Sequence, residues 1–255
     1  MPQVSIITPC YNSADYIAKT IEAIQAQTFT DWELLITDDC SKDNSIEIIN
    51  TYANNDSRIR LFQLKNNGGG GVARNNSISK AEGQYIAFCD SDDCWYPEKL
   101  EKQIKFMQDN DCAFSYTSYM TCGEDGDIKG IIIAPNKTTF SSNKRDNKIG
   151  CLTAIYDTKK VGKVYLPIIR KRQDWGLMMR ILQKCKVAYG MKEPLALYRL
   201  REGSISSNKM DLVKYNIGVY VETLGWSKLR AFIFFLFAFI PAHITKRLVV
   251  KLYNK

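Results

Sequence analysis

Hydrophobic positions along the chain alternate between short β-branched runs and stripes at helical spacing. Residues 4–8 (VSIIT) read as a buried strand, and Asn12 and Ser13 then offer a helix cap ahead of Tyr16, Ile17, Ile21 and Ile24. Residues 32–38 repeat the strand signal. Ile46, Ile49 and Tyr52 form a helical stripe, and residues 59–64 give a third strand. This βαβαβ order predicts a parallel sheet with helices on both faces. The glycines at 68–71 read as a loop before a helix over 72–80, and residues 85–89 (YIAFC) as a fourth buried strand closed by Asp90. Pro97 suits the first turn of a helix carrying Leu100, Ile104 and Met107. After a strand over 113–119, residues 122–148 are rich in Gly, Asn, Ser, Lys and Asp and are expected to form loops or a mobile flap. Strands are expected again over 152–156 and 195–200, with a helix over 174–182 between them and no internal repeat.

Charge sharpens this picture. The 255 residues carry a formal charge of +8, but residues 226–255 hold six basic side chains and no acid, which leaves 29 basic against 27 acidic residues in the remainder. A nucleic-acid binder spreads cations along a face of its folded domain, so that class loses its support. A basic tail suits a membrane surface instead. The eight cysteines are scattered without a C-x-x-C pair, which argues against a zinc or redox site and for a reduced cytosolic setting. The amino terminus lacks the charged and apolar regions of a signal peptide.

In an open parallel sheet, ligands bind beyond the carboxyl ends of the strands. Those ends are polar here: Thr8-Pro9-Cys10-Tyr11-Asn12, then Asp38-Asp39-Cys40-Ser41, then Asp90-Ser91-Asp92-Asp93. Three acids within four residues repel one another, a cost that a divalent cation offsets, and such a cation keeps positions for substrate phosphates. A diphosphate is the expected ligand. Asp38 and Asp39 could accept from a base NH or from ribose hydroxyls. Gly70, within the glycine run, lets backbone approach the nucleotide, and Arg74 supplies positive charge. The run lacks the spacing of a dinucleotide fingerprint or a P-loop. Each acid could instead cap a helix or close a turn, which is also the plain reading of Asp174.

The motifs VSIITPCYN, DDCSKDNS, GGGGVARNNSI, GQYIAFCDSDDCW, RQDWGLMMR and YRLREGSIS occur in an order and spacing that resemble the family 2 glycosyltransferases of GT-A fold, over residues 4–209. The resemblance implies an α/β, Rossmann-like, mostly parallel central sheet with helices on both faces. It also implies an inverting transfer from a nucleoside diphosphate sugar, with uridine as the expected base. Asp174 is then the catalytic base. Pro9, Tyr11, Asn12, Asp38, Asp39, Gly70, Arg74, Asp90, Ser91 and Asp92 belong to the donor site, and Asp92 and Asp93 to an Mg²⁺ or Mn²⁺ site. Many relatives carry His after the Tyr-Arg of the last motif, where this chain has Leu200 and Arg201; Arg201 cannot ligate a cation but can pair with phosphate. Cys40 stands where relatives commonly have Gly or Asn. The single histidine, His243, lies in the apolar tail, which leaves a carboxylate as the base.

The expected organisation is a catalytic domain over 1–209, with a nucleotide-sugar half to 111 and an acceptor-side half from 112, followed by a helical extension over 210–255. Residues 231–240 (AFIFFLFAFI) are ten uninterrupted apolar residues, short of the ~20 that cross a bilayer as a helix. Flanked by Lys228, Arg230, Lys246 and Arg247, they are expected to lie in the interface on the inner face of the cell membrane, where the acceptor would be a glycan or lipid-linked saccharide. A buried core helix or a homodimer contact is the alternative for the tail. For the chain as a whole the rivals are a sugar nucleotidyltransferase, whose Gly-rich basic loop after the first strand is absent, and a silent nucleotide-sugar or glycan-binding module, which would have lost the acids.

Overall fold

Four parallel strands, β1 (Val4–Cys10), β2 (Trp32–Asp38), β3 (Ile59–Gln63) and β4 (Tyr85–Phe88), form the first part of one sheet in the order β3-β2-β1-β4. The structure is a computed structural model and describes residues 1–200 and 211–244. Because strand side chains alternate between faces, adjacent residues enter different apolar layers. Ile6 and Leu34 pack with Ile21 of α1 (Ile17–Gln25) and Ile49 of α2 (Ser45–Asn55). Ile7 and Leu35 pack on the opposite face with Ile78 of α3 (Gly70–Lys80). The expected helices on both faces are thus present, and the acid-bearing strand ends share one edge.

Asn12 and Ser13 do not cap α1, whose N-cap is Tyr16 without a side-chain bond. Asn12 has φ 46° and turns the chain away from the sheet, and the two side chains tie neighbouring loops together instead. The third helix starts at Gly70, inside the glycine run, because Gly69 at φ 85° takes the N-cap position. The short strand β5 (Cys94–Trp95) follows the acidic motif, and Pro97 lies in the turn ahead of α4 (Lys99–Asp109) rather than inside it.

Beyond residue 112 the sheet continues as β4-β9-β6-β10-β5. β6 (Phe114–Cys122) runs parallel to β10 (Val187–Arg199), and β9 (Ile155–Asp157) is antiparallel to both β4 and β6. Residues 122–148 are not a loop. They contain β7 (Ile128–Ile132), antiparallel to β6, β8 (Lys137–Thr139) on β10, and the short helix α5 (Phe140–Arg145). The polar residues there serve a hairpin turn over 123–127 and a capping box between Thr139 and Ser142, which dilute the apolar signal. The strand expected over 152–156 is shorter and shifted, at Ile155–Asp157, since Cys151–Thr153 forms a 3₁₀ turn. β10 begins well before residue 195, at Val187; Lys192, Glu193 and Pro194 hide it, and Pro194 sits where the register shifts. After α6 (Thr158–Val161), α7 (Gln173–Cys185) packs Leu177, Met178, Ile181 and Leu182 under the sheet.

Over residues 211–244 the tail is largely helical and packs along one face on α7 and its surroundings. α8 (Asp211–Leu224) precedes α9 (Lys228–Phe234), which runs on through a π turn at Phe235–Phe239. Ala231, Phe235 and Phe239 are buried against Trp175, Met179 and Tyr220. A stripe at i, i+4 drifts around an ideal helix of 3.6 residues per turn, and the wider π turn keeps it facing Trp175. Phe232, Ile233, Leu236 and Phe237 on the other face are exposed. Among the described residues no helix is long and apolar enough to cross a membrane. Arg201, Lys246 and Arg247 lie outside the described residues.

Candidate active site

The loops that leave β1, β2 and β4 are stitched to one another. The Asn12 amide nitrogen donates to Ser41 Oγ (2.9 Å) and the Lys42 amide to Asn12 Oδ1 (2.8 Å), while the Ser13 and Ser91 hydroxyls pair at 2.7 Å. Asp38 is buried and accepts from the Ser41 amide at both carboxylate oxygens. Asp39 accepts from the Gly68 and Gly69 amides, each at 2.7 Å. Such bonds to a charged acceptor contribute roughly 1.5–3 kcal/mol each, so Asp39 fixes the glycine turn ahead of α3. Arg74, on the first turns of that helix, donates to Asp90 Oδ1 at 2.5 Å, and its buried Nε has no partner among the described residues.

These elements floor a cleft of about 1280 Å³. Tyr11, Asn12, Arg74, Asp90, Asp92 and Asp93 line it, and so does Asp174 from the first turn of α7, more than 80 residues away in sequence. Pro9, Asp38, Asp39, Gly70 and Ser91 do not line it; Asp38, Asp39 and Ser91 hold the loops that do. A Cβ on Gly70 would come within 3.0 Å of Arg74 Nη1 and 3.3 Å of the end of the Gln173 side chain, so the starts of α3 and α7 approach closely there. Turned to satisfy its neighbours, the Gln173 amide accepts from the Gly71 amide at 3.1 Å and donates to the Ile169 carbonyl at 2.8 Å.

The acidic motif divides by exposure. Asp93 is 2% exposed and accepts from the Arg199 amide at 3.0 Å. Burial pushes its carboxyl well above the ordinary value, and Asp92 and Asp90 push it the same way. Arg199, itself buried, donates from Nε to the Asp92 carbonyl (3.2 Å) and from Nη1 to the Glu124 carbonyl (3.2 Å), which locks the motif to β10 and the hairpin turn. Among the described residues no three carboxylate, thiolate or imidazole groups are arranged to hold a cation alone. With Asp90 paired to Arg74, Asp92 on the same wall could supply a ligand to a cation that takes most of its others from a bound diphosphate.

Asp174 Oδ2 accepts from the Asn147 side-chain amide at 3.3 Å. Trp175, next to it, anchors the helix start through Nε1, which donates to the Asn143 carbonyl at 2.7 Å. Tyr119 and Tyr198 meet edge to face at 6.2 Å on the cleft wall. Burial raises the Tyr198 phenol, as do Asp93, Asp90 and Asp92. In sequence Gln173 only stands beside Asp174 and Arg199 inside the Tyr-Arg pair, and Asn147 carries no sign of its role.

Comparison with known proteins follows the same lines. Residues 5–159 match the profile described as Glycosyl transferase family 2. The Bacillus subtilis protein TuaG, named for teichuronic acid biosynthesis, is 44% identical over 87% of this chain and 88% of its own. The Escherichia coli protein WfgD, named UDP-Glc:alpha-D-GlcNAc-diphosphoundecaprenol beta-1,3-glucosyltransferase, is 36% identical over 86% and 87%. The fold matches Staphylococcus aureus TarS in its complex with UDP-GlcNAc at a TM-score of 0.72 and 24% identity, over 93% of this chain and 74% of that one.

Proposed function

The chain belongs to glycosyl transferase family 2, and from that membership we propose that it moves a sugar from a UDP-sugar to a hydroxyl of a lipid-linked saccharide in cell-surface polysaccharide synthesis, with inversion. The observation that carries this reading is the meeting of Asp174 with Asp90, Asp92 and Arg74 on one cleft.

The donor's nucleoside rests near Pro9, Tyr11 and Asn12, on loops that Asp38, Asp39 and Ser91 hold in place. Arg74 and the start of α3, at Gly70, face the diphosphate, where the positive end of the helix favours an anion. An Mg²⁺ or Mn²⁺ ion held by Asp92 would stabilise the charge that grows on the leaving diphosphate. Asp93, fixed by Arg199, braces the loop that carries Asp92. Asp174 takes the proton from the acceptor hydroxyl as that oxygen bonds to the anomeric carbon, while the bond to the diphosphate breaks on the opposite face. One displacement inverts the anomeric configuration. Tyr119 and Tyr198 offer aromatic faces to a sugar ring. Arg201 follows this wall in sequence and would pair with phosphate.

The exposed apolar face of α9, with Lys228 and Arg230 at its start, would lie on the cytoplasmic surface of the membrane. Calorimetry with UDP tests the donor half: affinity should depend on Mn²⁺ and vanish in EDTA, and equal affinity in both removes the cation. The anomeric configuration of the product, read by NMR coupling constants, tests inversion.

A further inference from the structure

Three cations line the same cleft away from the donor loops. Arg145 ends α5, Lys148 lies in the segment that follows it, and Arg172 stands two residues before Asp174. The Asn147–Asp174 hydrogen bond joins these two segments, so the three cations converge on one edge of the cleft beside the acidic side chain. None of them has an ion-pair partner among the described residues, and the buried Arg172 Nε donates to no described group. Their neighbours behave differently. Arg170 reaches Asn67 and the glycine turn on the donor side, and Lys171 lies over the Tyr215 ring of α8 at 5.5 Å.

The wall beyond these cations is apolar. Ile132 and Ile133 from the end of β7 line the cleft on one side and Ala242 from the tail helix on another. The hairpin also exposes Ile128 and Ile131, and the tail helix exposes Phe232 in α9 and Leu236 and Phe237 in the π turn that follows. A ligand that suits this edge carries two or more negative charges next to a hydrocarbon chain. An acidic glycan has the charge without the chain, and an ordinary membrane lipid has no reason to enter a cleft that ends at Asp174.

We propose that Arg145, Lys148 and Arg172 form a binding site for the diphosphate of a polyprenyl-type lipid carrier, with the hydrocarbon leaving between the β7 hairpin and α9 and the sugar directed inward to Asp174. This deepens the acceptor part of the reading above and rests on it. The site reads the acceptor through its charge, and so selects membrane-held substrates over free sugars that bear the same hydroxyl.

The test uses the full chain saturated with UDP and Mn²⁺, so that the donor site is filled, and dodecyl diphosphate as a sugar-free probe followed by calorimetry. Dodecyl diphosphate should bind without displacing UDP, and dodecyl maltoside should not compete. Arg145→Gln with Lys148→Gln should weaken the probe about tenfold or more, in line with the loss of two charge-assisted contacts, and leave UDP affinity within twofold. Both side chains are exposed, so folding should be intact, and Arg145→Lys with Lys148→Arg should restore binding. Equal affinity for the probe in wild type and double variant, or displacement of UDP by the probe, overturns the site. A double variant that floats less on phosphatidylglycerol vesicles yet binds the probe normally assigns the cations to the membrane surface and also overturns it. UDP affinity measured alone reports on the donor reading, so its failure is distinguishable from failure of the cationic edge.

Discussion

On the donor side of the cleft Asp38, Asp39 and Asp93 are each tied to backbone amides, Asp39 by two bonds of 2.7 Å, whereas across the cleft the Asp174 carboxylate has, among the described residues, one side-chain hydrogen bond, at 3.3 Å from Asn147. The donor side is also built from parallel strands with short, cross-bonded loops, and the acceptor side from a mixed sheet with a hairpin and a helix inserted. A nucleoside diphosphate presents the same groups whatever sugar it carries, so a rigid frame suits it. A general base, the role proposed for Asp174, needs room to adjust to an incoming hydroxyl. The contrast therefore separates a prearranged surface from one completed by its substrate.

The contrast breaks most visibly at Asp174. Asp174→Asn should lower transfer on the order of a hundredfold or more while sparing UDP affinity. Near-normal turnover would reduce Asp174 to a helix-start residue. The acidic motif gives the next effect. Asp92→Asn should remove the cation-dependent part of UDP affinity, on the order of tenfold, whereas Asp93→Asn should keep it, because an amide preserves the bond from Arg199 and lacks the buried charge. Equal losses in calorimetry would place the cation on both carboxylates. Asn147→Ala should lower kcat roughly threefold to tenfold with KM for the donor unchanged, as expected when one orienting bond to a base is lost. A variant that also alters UDP affinity would contradict the separation of the two sides.

The smallest effect concerns the frame beneath the donor side. Lys99 is buried over the Trp95 ring and bonded to Gln103, and burial lowers its ammonium from 10.5 to about 7. The unfolded chain then binds more protons than the folded one between these values, so stability rises with pH from about 7 toward 10.5. Melting curves should show the wild type gaining about 3 °C or more on Lys99→Met across that range. Parallel curves would mean that Lys99 stays charged when buried.

Much of the donor side was legible because strand and function share one signal there. Apolar runs such as 32–38 and 85–89 end abruptly in acids, and their shortness and burial along the whole length match central strands of a parallel sheet. The acceptor side hides both. Capping and turn residues over 122–148 look like a loop, and Pro194 breaks a strand that the sheet carries through by a register shift. The amphipathic tail reads as apolar throughout, and only packing on Trp175 divides its face toward the protein from its face toward solvent. Gln173, Asn147 and Arg199 act through contacts made across long sequence separations, which no local pattern records.

Arg172 has φ 66°, a left-handed conformation that costs a non-glycine residue about 1 kcal/mol or more. It turns the chain so that α7 starts at the cleft, with Asp174 in its first turn. Glycine would relieve that strain and lose the guanidinium. A library at this position selected only for resistance to heat should therefore enrich glycine, and one selected for growth dependent on the polysaccharide should retain arginine. Directed evolution toward a hardier enzyme would be drawn to the residue on which acceptor recognition rests.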